Sequence, residues 1–175
     1  MLDQRQVNKI ITPCAYPVPL CDEYRKKMAT GNTVFSTLDL ASGYHQVRID
    51  TDSVDNLFGF RALVRIFVIG RLSMGWSIKV GIFQRNMDSL FKSHKSANPY
   101  LDDLGVASKL MDEKLDEDFP KAFAICSRFN VLLKGSKADL AKAIRRVLGY
   151  EVGRSKTRLS CEKRDKIIQM KFPTK

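Results

Sequence analysis

"PYLDDLGVAS", residues 99–108, sets two carboxylates, Asp102 and Asp103, between an aromatic residue and a run of small apolar ones. Neighbouring carboxylates repel, and each raises the other's pKa. On a flat strand consecutive side chains point to opposite faces, so the two could not approach one ion together from there. At the apex of a tight hairpin they can come closer, and a cation shared by the pair would remove the conflict. Proline is tolerated only at a strand edge or start. The strand entering from "KSHKSANP" is therefore expected to be short, and the hairpin that carries Asp102 to be frayed.

Outward from this hairpin, "TVFSTLDL" (33–40) follows the turn signal "TGN" and is rich in β-branched and aromatic residues, so it predicts a strand with Asp39 near its end. "HQVRID" alternates and predicts a second strand. "RALVRIFVIG" (61–70), nearly all apolar, predicts a third and central one. From Trp76 to Phe91 the apolar residues Trp76, Val80, Phe83, Met87, Leu90 and Phe91 recur every three or four positions, the spacing of one helix face. In "LMDEKLDEDFPKAFAICSRF" a helical region is expected, with Pro120 either a kink or the first residue of a second helix after Asp118. "NVLL", "VLGYEV" and "TRLS" predict short strands, and "EKRDKIIQM" a last helix. Three prolines in "ITPCAYPVP" (11–19) forbid helix and favour an extended connector. The mixture predicts an α+β fold in which helices cover one face of an antiparallel sheet.

The 175 residues are enough for one buried core. Lysine and arginine number 30 against 19 acidic residues, and residues 134–175 alone hold thirteen basic and four acidic side chains. That bias faces an anionic partner, or else only keeps a solvated surface soluble. Cys14, Cys21, Cys126 and Cys161 lie far apart, and only His45 and His94 accompany them, so neither a zinc site nor a disulfide framework is expected. The polar start and the lack of a long apolar run predict no signal peptide, no membrane span and an intracellular chain, cytoplasmic or also nuclear.

Asp39 added to Asp102 and Asp103 makes a set of hard oxygen ligands suited to Mg²⁺, which commonly takes one or two carboxylates plus substrate phosphates. Paired acids alone are more often solvated turn residues. The surrounding text is more specific. "FSTLDLASGYHQVRI" (35–49), "FQRNMDSLF" (83–91), "YLDD" (100–103), "SKADL" (136–140) and "LGYEV" (148–152) follow one another in the order and approximate spacing of the reverse transcriptase palm. They resemble the gypsy-like long-terminal-repeat retrotransposons in particular. The opening "LDQRQVNKIITPCAYPVP" is similar to that family's fingers segment.

The resemblance implies a partial fingers segment over 1–33, a palm over 34–160 and the start of a thumb or connection over 161–175. It implies an RNA-directed DNA polymerase that extends a primer on an RNA or DNA template with dNTPs, using two Mg²⁺ ions, with Mn²⁺ as a substitute. RNase H and integrase would be further parts of the same polyprotein. By position, Asp39, Asp102 and Asp103 resemble the catalytic, metal-binding triad. Tyr44 matches the steric gate against a 2′-hydroxyl, and Leu40 and Ala41 would offer backbone groups to the triphosphate. Met74, Gln84 and Lys137 belong with the nucleotide pocket. Leu148, Gly149 and Tyr150 resemble the primer grip, and Arg5 matches an arginine near the template.

The chain departs from the family in "RLSMGWSIKVGIFQ", where the pattern "xMPFGLxNAPxxFQ" is expected: Ser73 and Val80 stand for prolines, Ile78 for an asparagine and Lys79 for a small residue. A long charged side chain at Lys79 is expected to intrude on the pocket floor. A fingers strand that grips the triphosphate has no counterpart, and the thumb would lie beyond Lys175, so a fragment of low or no activity is expected. The competing reading is a catalytically inactive, retroelement-derived nucleic-acid-binding domain. A metal-dependent nuclease ranks last, because no further His or Glu cluster accompanies the carboxylates.

Overall fold

The computed structural model describes residues 4–50, 59–153 and 156–170. In chain order come α1 (Val7–Ile10), α2 (Cys21–Ala29), β1 (Val34–Asp39) and α3 (Gly43–Gln46). There follow β2 (Gly59–Ala62), β3 (Arg65–Val68), α4 (Lys79–Phe91), β4 (Ala97–Tyr100) and β5 (Asp103–Ser108). A helical run then passes from α5 (Met111–Glu113) through a π-helical turn (Lys114–Asp118) into α6 (Phe119–Arg128). After a 3₁₀ turn (Gly135–Lys137) come β6 (Asp139–Lys142), β7 (Ile144–Val147), β8 (Tyr150–Gly153), β9 (Lys156–Leu159) and α7 (Cys161–Gln169). The thumb or connection expected over 161–175 lies outside the described residues from 171 onward.

The central sheet is antiparallel, in the order β4-β5-β1-β6. Alternation along β1 and β5 sends Leu38, Leu104 and Val106 to one face, against Phe83, Met87 and Phe91 of α4 and Phe119, Ala122 and Cys126 of α6. Phe35 and Ala107 point to the other face, against Tyr24, Met28 and Ala29 of α2 and Val147 and Val152 of a three-stranded antiparallel sheet, β7-β8-β9. Each fully buried side chain of this kind contributes about 1.5–3 kcal/mol. The α+β class holds, but both sheet faces are covered. Helices on one face alone would leave Phe35 and Met28, both 0% exposed, without partners.

Several elements differ from the sequence expectation. "HQVRID" is not a strand: Ser42 adopts φ 54°, and Gly43–Gln46 turns into α3, leaving among the described residues only a single bridge between Arg48 and Arg71. Gln46 holds this turn, its amide nitrogen donating to the Ala41 and Leu132 carbonyls and its amide oxygen accepting from Leu132 N–H. "RALVRIFVIG" is no central strand either. It folds back at Leu63 (φ 53°) as part of a separate two-stranded ribbon, β2-β3, with Leu63 and Val64 about 90% exposed or more. "NVLL" forms only the Leu133–Leu40 bridge. "VLGYEV" is the turn of a hairpin, with Leu148 and Gly149 both at positive φ between β7 and β8, the geometry that matches strand twist in a two-residue loop.

The 99–108 hairpin is fully formed, with four residue pairs from Ala97↔Val106 to Tyr100↔Asp103. Pro99 is tolerated because β4 is the edge strand. Trp76 lies in the turn before α4 and is still 3% exposed. Pro120 sits in the first turn of α6, where its missing N–H matters least. The π-helical turn just before it widens the backbone where a proline ring would otherwise meet the carbonyl four residues back. Among the described residues no helix is long and apolar enough to cross a membrane.

All four cysteines are free. Burial pushes the Cys126 thiol up to about 11, whereas Cys21 and Cys161 are exposed. Thiolate is the reactive form. At pH 8 a thiol reagent is therefore expected to label Cys21 and Cys161 in the folded chain and Cys126 only after denaturation; mass spectrometry of labelled peptides reads this directly.

Candidate active-site cleft

β1 and β5 run antiparallel with Asp39 directly opposite Asp103 and Leu38 opposite Leu104. Two residues 64 positions apart in sequence thus meet at the same end of the sheet and on the same face. The pairing extends past the strand, where Leu40 N–H donates to the Asp102 carbonyl at 3.1 Å. Asp39 and Asp103 line a cleft of about 510 Å³ together with Thr37, Ser136, Lys137, Asp139 and Arg145.

Two cations face the two carboxylates. Lys137 Nζ lies 3.1 Å from Asp39 Oδ2, on a side chain 59% exposed. Arg145 donates through Nε to Thr37 Oγ1 at 2.8 Å and pairs with Asp139. Asp139 reaches this position through an irregularity in the β1–β6 pairing, where the Ala141 N–H donates to the buried Ser36 hydroxyl at 2.7 Å. The Asp103 carboxyl is raised above the ordinary carboxylate value, first by burial and then by the charges of Asp102 and Asp39, against the opposing pull of Arg145 and Lys137. Like charges held together in partial burial are a site that favours a cation.

Asp102 occupies the turn itself and is exposed. It stands on the Tyr44 side: its charge helps raise the Tyr44 pKa, behind burial, and a β-carbon added at Gly43 would meet Asp102 Cβ at 3.5 Å. Among the described residues no three His, Cys, Asp or Glu side chains stand close enough to hold a metal without rearrangement. The donors present, Asp39 and Asp103 with Asp102 adjoining, are hard carboxylate oxygens. That chemistry fits a divalent cation completed by water and phosphate.

The N–H groups of Leu40 and Ala41 already have backbone partners. Leu40 N–H is bonded to Asp102 and Ala41 N–H to the Leu132 carbonyl at 2.9 Å. Tyr44 is 8% exposed and packs on Phe83 with ring centroids 4.9 Å apart. Lys79 lies over the Tyr44 ring, its Nζ 5.7 Å from the centroid, and donates to the Met74 carbonyl. The expected intrusion is thus a lysine folded onto the tyrosine, and Met74 is an exposed anchor for it. Gln84 is wholly buried, and its amide is engaged with the hairpin: Nε2 donates to the Pro99 carbonyl and Asp88, and Oε1 accepts from Leu101 N–H. Tyr150, next to the Leu148–Gly149 turn, lies between the Arg25 guanidinium at 3.8 Å and Lys163 Nζ at 4.5 Å. Arg5 is exposed in the turn before α1.

Sequence reasoning missed Thr37, Asp139 and Arg145. Asp139 lies inside the quoted "SKADL", and Thr37 sits two residues before Asp39, hence on its face of the strand. Arg145 carried no comparable signal, since it is one of many basic residues in that part of the chain.

Residues 1–152 match the family model described as reverse transcriptase (RNA-dependent DNA polymerase), and the chain belongs to that family. It is 28% identical over 177 residues to the retrovirus-related Pol polyprotein from transposon 297 of Drosophila melanogaster, a match covering 100% of this chain and 16% of the polyprotein. It is 25% identical over 175 residues to the transposon Tf2-3 polyprotein of Schizosaccharomyces pombe, covering 99% of this chain and 13% of that protein. The chain therefore spans a small part of these relatives. Its fold is that of foamy viral protease-reverse transcriptase, solved in complex with dsDNA (TM-score 0.86, 23% identity, 99% of this chain and 36% of that one) and with RNA/DNA hybrid (TM-score 0.83, 23% identity, 99% and 23%).

Proposed function

We propose that this chain is the palm of a reverse transcriptase, with part of the fingers, and that its cleft transfers deoxynucleotides from dNTPs to a primer 3′-hydroxyl on an RNA or DNA template. The observation that carries the reading is the direct opposition of Asp39 and Asp103 in one cleft with Lys137 at hand. Asp39 and Asp103, joined by Asp102 through side-chain rotation, would hold Mg²⁺, for which Mn²⁺ can substitute. Divalent cations bound there supply the charge that activates a 3′-hydroxyl and stabilises a leaving pyrophosphate.

The chain's own residues do the rest. Lys137, beside Asp39, would offer its ammonium to the triphosphate. Arg145, tethered by Thr37 and Asp139, keeps positive charge at the back of the cleft. Tyr44, fixed between Phe83 and Lys79, limits the room beside the sugar, so a 2′-hydroxyl is rejected by contact. The Leu148–Gly149 turn and Tyr150, held between two cations, give the primer end a firm seat. RNase H and integrase would act from other parts of a longer polyprotein.

Primer extension on poly(rA) primed with oligo(dT) tests this. Incorporation of dTTP that requires Mg²⁺ and is lost in Asp102→Asn is expected; equal incorporation by wild type and variant excludes chemistry at this cleft. One observation favours a silent nucleic-acid-binding domain instead: Lys79 folded over Tyr44, where the family has a small residue. That reading predicts no incorporation, yet duplex binding that weakens steeply with salt, because released counterions drive phosphate contacts.

A further inference from the structure

The turn that carries Asp102 is held from outside the cleft. Leu101 adopts φ 53°, a left-handed conformation unfavourable for a non-glycine residue, and the neighbouring carboxylates repel. Gln84 offsets this by accepting from Leu101 N–H at 2.8 Å while donating to the Pro99 carbonyl at 3.1 Å, so it grips the chain on either side of Tyr100 as it enters the turn. An amide does this in one orientation only. Asp88, one helical turn further along α4, accepts from the same Nε2 at 3.0 Å and so helps set that orientation.

The second Asp88 oxygen accepts from the Tyr16 hydroxyl at 2.7 Å. Tyr16 belongs to the proline-rich connector, 72 residues earlier, which crosses α4 at Gly81. A β-carbon there would come within 3.1 Å of Cys14 Sγ and 3.5 Å of Tyr16 Cβ, so the glycine is what lets the connector lie down on the helix. The Tyr16 phenol is held above its ordinary value, chiefly by the bond to Asp88 and then by burial.

We propose that Tyr16 and Asp88 are positioning residues: the chain Tyr16–Asp88–Gln84–Leu101 couples the seating of the N-terminal connector on α4 to the geometry of the turn that bears Asp102. When the connector lifts, Asp88 loses its second partner, the Gln84 amide loosens and the carboxylate turn relaxes. When the connector is seated, the turn is fixed. Neither residue touches substrate, and the effect on catalysis rests on the polymerase reading above.

The test uses the whole chain and two variants, Tyr16→Phe, which keeps the ring and its packing, and Asp88→Ala. Hydrogen–deuterium exchange at residues 100–103 is expected to quicken about tenfold in both while exchange in α6 stays unchanged. In primer extension, kcat is expected to fall about tenfold with KM for dTTP within about twofold. Asp88→Asn, which keeps an acceptor for Gln84, is expected to restore most of the protection lost in Asp88→Ala. Unaltered exchange at 100–103, or exchange raised equally across the chain, overturns the coupling and leaves only a packing role. If the wild-type chain incorporates nothing, the polymerase reading fails separately, and the exchange result alone decides the coupling.

Discussion

Asp103→Asn is expected to lower dTTP incorporation by about 10³-fold or more while raising the melting temperature of the chain. The loss follows from the several kcal/mol that bound divalent ions contribute to phosphoryl transfer, each 1.4 kcal/mol being about tenfold in rate. The gain follows from electrostatics. The folded Asp103 carboxyl is raised above its unfolded value by burial and by two neighbouring aspartates. Between those two values the folded state holds more protons than the unfolded one, so stability falls as pH rises through that window and the penalty is complete above it. Removing the charge removes the penalty, and an amide fills the same volume. Thermal melts should therefore show wild type approaching Asp103→Asn as pH is lowered through the carboxylate range. A variant less stable than wild type at neutral pH would mean that Arg145 and Lys137 outweigh the repulsion.

Gly105→Ala is expected to destabilise the chain by about 2–3 kcal/mol. The added β-carbon would clash with the Tyr24 hydroxyl oxygen and stand 2.8 Å from Met28 Cε and Sδ. Met28 is flexible, but at 0% exposure it has nowhere to go, and Tyr24 is rigid and packed on Tyr100 at 4.9 Å between ring centroids. Relief requires α2 to lift from the sheet. That would also draw Arg25 away from Tyr150, so primer binding should weaken along with stability. For a chain of this size the melting temperature should drop by ~8 °C. Gly135→Ala, with open space around the new carbon, is the control and should change stability by less than about 0.5 kcal/mol.

Residues around the cleft were legible in the sequence where local pattern and tertiary demand agree. "TVFSTLDL" follows a turn signal, is rich in β-branched and aromatic residues and carries Asp39 near its end, and "YLDDLGVAS" reads as a tight hairpin with its acids at the apex, so the two strands could be anticipated. "HQVRID" misled because four alternating residues do not separate a strand from a turn pinned by one glutamine, and Gln46 does the pinning through residue 132. "RALVRIFVIG" misled because its reversal uses Leu63 at positive φ, with no glycine or asparagine to announce it, and because its apolar side chains stay on the surface. β6, "DLAK", has almost no strand propensity and exists through its pairing with β1. The role of Gln84 was legible only as a position near the pocket; that its amide is engaged with the hairpin turn needed three-dimensional contacts.

Divalent-ion binding by the whole chain decides whether Asp39 and Asp103 form a metal site. With a dideoxy-terminated oligo(dT) primer on poly(rA) and dTTP present, Mn²⁺ followed by water-proton relaxation should bind wild type and fail to bind Asp103→Asn or Asp39→Asn at the same concentrations. Equal Mn²⁺ binding by all three would contradict a metal site built on these opposed carboxylates.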